Sequence, residues 1–186
     1  FNIKIQTYLP YLTSGMICWI LISSLINELS DAFIANEGII HQIKLPFFLY
    51  IHRVIWRNFI VLAHNLIVWV IVASLFHASI NDFTNILYVI PGFFLIYLNA
   101  MAIGLILAIA AARFRDLPHM VSNLLQILFF ITPIMWEPQR LSAKLHFIFM
   151  LNPLYLFIEL VRAPMLGNAP SFQVYDTILG ITVLSC

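Results

Sequence analysis

Four stretches of the chain carry no Asp, Glu, Lys or Arg, at residues 5–27, 58–81, 83–112 and 117–136, and a fifth begins after Asp176. A bilayer core of roughly 30 Å is crossed by about 20 apolar residues in a helix that rises about 1.5 Å per residue. The pattern therefore predicts an all-α integral membrane protein with spans at 5–27, 58–81, 91–112 and 117–136, and a truncated last span at 177–186. The third span starts near 91 because Pro91-Gly92 marks where a helix settles after a bend. Between the fourth and fifth spans, residues 145–158 are apolar but too few to cross, and Asn152-Pro153 breaks them. A re-entrant or interfacial helix is expected there.

The connections hold most of the charge. In 28–57, Leu29, Phe33, Ile40 and Ile43 recur near helical spacing with Glu28, Asp31 and Glu37 between them, a pattern that lies at an interface. Asn36-Glu37-Gly38 predicts a turn, followed by a short helix that ends before Pro46. On pattern alone, that helix either rests on the membrane surface or meets a partner. The third connection is only Arg113-Phe114-Arg115-Asp116, with Asp116 placed to cap the fourth span and Pro118 in its first turn. Its two arginines either bind headgroups or meet a soluble partner. Lys44, Arg53, Arg57, Arg113 and Arg115 flank these two connections, against Lys4, Arg140, Lys144 and Arg162 on the other side, which favours the first set as cytoplasmic.

Along the fourth span, His119, Ser122, Asn123, Gln126, Phe130 and Pro133 fall at steps that put them on one helical face. Polar side chains within a span either join helices or line a wet path.

Composition narrows the chemistry. Charged residues are 9% of the 186 positions and hydrophobic ones 62%, so a soluble domain's polar shell is lacking. A net charge of +1 without clustered Lys and Arg argues against nucleic acid. Cys18 and Cys186 both sit in apolar runs, and the six histidines are scattered without ligand spacing, so no metal site is expected. His64 and Asn65, inside the second span, read as helix-joining polar groups. No phosphate-binding loop or nucleophile motif occurs, so no catalytic or cofactor-binding residue is assigned.

Three segments carry a resemblance. The run Ala112-Arg113-Phe114-Arg115-Asp116-Leu117-Pro118-His119, followed by Phe130-Ile131-Thr132-Pro133-Ile134, resembles the R-[FY]-R-D-[IL] turn and T-P-I of the ABC-2 type permeases. The likeness is to the branch that exports O-antigen, capsular polysaccharide and teichoic acid. Leu151-Asn152-Pro153-Leu154, with Glu159, Arg162 and Gly167, is similar to that family's N-P-[LM] motif and its downstream Arg and Gly. Residues 36–46 resemble its N-x-x-L-I-x-K-x-x-F-P segment, with Glu37-Gly38 and His41-Gln42 standing where the family is more apolar and basic.

The resemblance implies a six-span ABC-2 permease fold whose first span is missing here and whose last is truncated. Re-entrant helices are then expected between spans five and six, in an outer region at 137–176. It implies that the cytoplasmic segment 28–57 docks on an ABC ATPase subunit through Asn36, Glu37, Ile39, Ile43 and Lys44, joined by Arg113, Arg115 and Asp116. It further implies a homodimer of permeases in a bacterial inner membrane, with ATP and Mg on the partner chain. The cargo would be a lipid-linked glycan. The path would be lined by His119, Ser122, Gln126, Phe129 and Phe130, and an aromatic content of 15% suits stacking on sugar rings. Alternatives are an ABC-2 permease for a drug or other small amphiphile, and a membrane-embedded acyl- or glycosyltransferase. The latter needs a cluster of acidic residues or His at one membrane face.

Overall fold

The computed structural model describes residues 5–76, 83–136, 152–168 and 172–185. Expectations for the end of the second predicted span at 77–81, for 137–151 with its Arg140 and Lys144, and for Lys4 and Cys186 lie outside them.

The described residues are helical, without a strand. Helix α1 (Ile5–Asp31) leads through a turn to α2 (Glu37–Gln42), then α3 (Phe47–Leu75), a 3-10 turn (Phe83–Tyr88), α4 (Val89–Arg113), α5 (Leu117–Ile131), α6 (Pro153–Met165) and α7 (Phe172–Ser185). Three helices are long and apolar enough to cross a bilayer, at Tyr8–Asp31, Phe47–Leu75 and Asn85–Arg113, while α5 and α7 are shorter apolar helices.

The breaks follow local chemistry. Asn36 donates to the Ala32 carbonyl at 2.7 Å, closing the turn before α2. Pro46 caps α3 with extended backbone (φ −59°, ψ 134°). Helix α3 starts at Phe47 rather than at 58, because Arg53 and Arg57 mark a change of solvent and not the end of a helix. Asp116 does stand at the N-cap of α5, but its side chain makes no capping bond, and Pro118 occupies the first turn. Helix α5 stops at Ile131, before residue 136, because Pro133 disfavours helical backbone at Thr132, which is extended at ψ 131°.

Helix α1 is central: α3, α4, α5 and α6 all pack on it. Leu29 and Phe33, read from pattern as an interfacial stripe, are buried at its end. The approach of α4 needs a glycine, since a Cβ on Gly104 would lie 2.8 Å from Leu29 Cδ1 and 3.2 Å from its Cγ. Overpacking by Gly104→Val is therefore expected to cost about 1–3 kcal/mol. Leu29→Ala should then cost less in that background than alone, because the new side chain fills the vacated space. Melting points of the four proteins in detergent test this, and additive losses would show that the two residues do not share the space.

Candidate functional site

One end of the bundle gathers α2, the start of α3 and the Arg113 to Asp116 turn. Arg115 Nη2 donates to Glu37 Oε1 and Oε2 at 2.9 and 3.1 Å, so two segments far apart in sequence are tied together. Both partners are exposed, and such a pair adds little stability, a median of about 0–1 kcal/mol. Its effect is positional. Beside it, Ile40 is half-buried over a cleft of about 210 Å³ bordered by Phe33, Phe47 and Ala112.

The other expected contact residues lie at this end without being bound into it. Ile39 is 44% and Ile43 53% exposed. Lys44, Arg113 and Asp116 are exposed, and Asn36 is half-buried in its turn. Sequence reading missed the apolar side chains that extend the surface: Leu45, Phe47, Phe48 and Phe114 are all exposed. It missed as well the neutralised cluster behind it. Glu28 Oε2 accepts from Arg57 Nη2 and from Asn58 Nδ2, each at 2.6 Å. That pairing was within reach, because Glu28 and Arg57 bound consecutive apolar runs that return antiparallel.

Helix α5 rises from this end with three distinct faces. Val121, Leu125, Leu128 and Phe129 pack on the core. Met120, Leu124, Ile127 and Ile131 form an exposed apolar face. Between these two faces runs an exposed stripe of His119, Asn123, Gln126 and Phe130, the last 79% exposed. Ser122 is half-buried at the stripe's edge. Phe129 stands off the stripe, its ring 5.6 Å from Trp19 and 5.4 Å from Phe130. Pro133 is not on it either, since the helix has ended and Pro133 is fully buried.

The opposite end is closed by a buried knot. Thr132 Oγ1 accepts from Asn152 Nδ2 at 3.0 Å, while Asn152 Oδ1 accepts from Leu154 N–H, capping α6. Arg162, 1% exposed, donates from Nη1 to the Pro133 carbonyl at 3.1 Å and from Nε to Glu159 Oε2 at 3.0 Å. Its guanidinium carbon lies 4.3 Å from the centre of the Tyr11 ring. Gly15 lets α1 meet this corner, a Cβ there falling 3.1 Å from the Ile134 carbonyl. Counted from sequence as a loop charge, Arg162 is instead inside the protein.

Gly167 follows α6 at φ 78°, a left-handed conformation that favours glycine. Gly167 N–H bonds the Pro164 carbonyl and Asn168 N–H the Ala163 carbonyl, and Asn85 donates to the Gly167 carbonyl at 2.9 Å. Both ends of α6 are thus tied to the same end of the bundle, and its 13 residues rise only about 20 Å.

This arrangement offers a buried, hydrogen-bonded end, an exposed apolar-and-charged opposite end, and an exposed polar stripe between. The family model for the ABC-2 type transporter matches residues 2–166, which takes in all three. No curated protein matches the chain. The chain belongs to the ABC-2 type transporter family, as a membrane-embedded transport subunit that is not itself catalytic.

Proposed function

We propose that this chain is the permease subunit of an ATP-driven exporter that moves lipid-linked polysaccharide of the O-antigen kind across a bacterial inner membrane. In this reading it has the six-span fold with paired re-entrant helices and works as a homodimer bound to two ATPase subunits, which hold ATP and Mg. Asn36, Glu37, Ile39, Ile43 and Lys44, with Arg113, Arg115 and Asp116, meet the ATPase. His119, Ser122, Gln126, Phe129 and Phe130 border the glycan path.

The observation that carries the reading is the stripe of α5 rising directly from the Arg115 to Glu37 tie. A movement of α2 driven by a partner reaches Arg115 through that ion pair, and from there the first turn of α5. His119, Asn123 and Gln126 uncovered in hydrocarbon would cost several kcal/mol together, on scales allowing up to roughly 3 kcal/mol for a strongly polar residue. A second permease or a hydrated sugar chain relieves that cost. The motif likeness around Arg113 to Asp116, Thr132 to Ile134 and Asn152 to Leu154 supports glycan over a small amphiphile.

Replacing Gln126 with Trp separates a packed interface from a path wall. Added bulk in a packed interface disturbs folding, at about 1–3 kcal/mol, whereas on a path wall it obstructs passage. Full membrane abundance with lost surface glycan is expected. Lost abundance, or unchanged glycan at full abundance, would remove Gln126 from the path, and intact glycan with lost drug resistance would favour the small-amphiphile reading.

A further inference from the structure

Near its start, the outer surface of α3 carries a groove of about 510 Å³ lined by Leu49, His52, Arg53, Trp56, Arg57 and Ile60. The positions recur every three or four residues and form one stripe. Most of its polar members are already fixed. Arg57 is held by Glu28 at 2.6 Å, His52 Nδ1 lies 2.9 Å from the Tyr97 hydroxyl, and the His52 ring stacks on Trp56 at 6.3 Å. Arg53 is exposed, and among the described residues its guanidinium has no ion pair or side-chain hydrogen bond. Trp56 beside it is 61% exposed.

Depth identifies what meets this surface. The 29 residues of α3 rise about 43 Å, more than a bilayer core of about 30 Å. Residues 58–75 are free of charge and account for about 27 Å of that rise. Arg53 and Arg57 therefore stand at the level of lipid phosphates, where Trp also concentrates. Beyond Ile60 most exposed side chains of α3 are apolar, Val61, Ile67, Val68 and Ile71 among them, a surface that suits acyl chains. The exposed His64 and Ser74 bond back to their own helix, at the Ile60 and Ile71 carbonyls (2.9 and 2.8 Å), and among the described residues join no other helix.

We infer that this groove binds the headgroup of an anionic phospholipid. The Arg53 guanidinium grips the phosphate with paired N–H donors, and the lipid tail runs over Ile60. Excess positive charge in the groove favours an anionic headgroup over a zwitterionic one.

The intact protein, stripped of lipid in neutral detergent and titrated with phosphatidylglycerol, is expected to hold one lipid tightly by native mass spectrometry. Arg53→Gln should weaken that first binding at least about tenfold, while Arg53→Lys, which keeps the charge, should weaken it less. Both variants change an exposed side chain, and circular dichroism confirms that they fold. Binding by Arg53→Gln equal to that of the parent would overturn the proposal. So would equal binding of phosphatidylcholine, displacement of the lipid by inorganic phosphate, or loss of the lipid on formation of a protein dimer.

Discussion

In an Ile39→Asp/Ile43→Asp double variant, export is expected to fall to background while the chain still inserts and accumulates in the membrane. Both side chains are about half exposed, and no residue of α2 is buried, so this chain's own packing does not depend on them. Surface substitutions of that kind usually change stability within about 0.5 kcal/mol. A partner that covers them gains about half of the roughly 1.5–3 kcal/mol for fully burying an isoleucine, because each is already about half buried. Losing both, at 1.4 kcal/mol per tenfold, weakens association by about tenfold to a hundredfold. The carboxylates add a further cost, because they have no cation to meet within an apolar contact. Surface glycan, membrane abundance and the ATPase activity of the purified complex are the readouts. Normal export at normal abundance would defeat the assignment of α2 as the ATPase contact.

Arg162→Leu is expected to have the largest effect on the fold. The substitution strands the Pro133 carbonyl, leaves Glu159 without its counter-charge and removes the cation from the Tyr11 ring. Breaking one side of a buried ion pair costs about 3–5 kcal/mol, a large share of a typical folding free energy. Arg162→Lys should also lose much of the stability, because a compact ammonium cannot reach Glu159 and the Pro133 carbonyl in the same fork geometry. The informative comparison is Arg162→Leu/Glu159→Leu, which removes both charges and should melt above Arg162→Leu alone. Melting points in detergent, together with membrane abundance, decide this. A double variant as unstable as the sum of its parts would show that Arg162 acts through volume rather than through charge.

Much of the helical layout is legible along the chain. Asn36 to Pro46 announces a turn, a short helix and a stop, and the structure follows with α2 between Asn36 and Ile43. Pro91 lies in the first turn of α4, where its missing N–H does no harm. At the fourth span the charge-free run to Trp136 is longer than the helix, which Pro133 ends at Ile131. The even spacing of His119, Asn123, Gln126 and Phe130 did identify a shared face, because a 3.6-residue period is a property of the helix alone. The same period turns Phe129 about 100° away from Phe130 and off the stripe, and what the spacing did not show is that the ring of Trp19 on α1 packs against it there.

Hydrophobic period and helix-breaking residues by themselves determined that the chain is a set of apolar helices, that a short helix follows the turn at Asn36, and that α4 and α5 begin close to Pro91 and at Leu117. Those features depend on neighbours within a few residues and on the cost of placing charge in hydrocarbon, both of which are written locally. Only the tertiary structure decided that Arg162 is a buried tether and not a loop charge, that Glu37 holds Arg115, and that Gly104 makes room for Leu29. Each of these is a contact across tens of residues. A side chain's environment there is set by whichever helix happens to cover it, and no local pattern in a uniformly apolar sequence distinguishes a covered face from an open one.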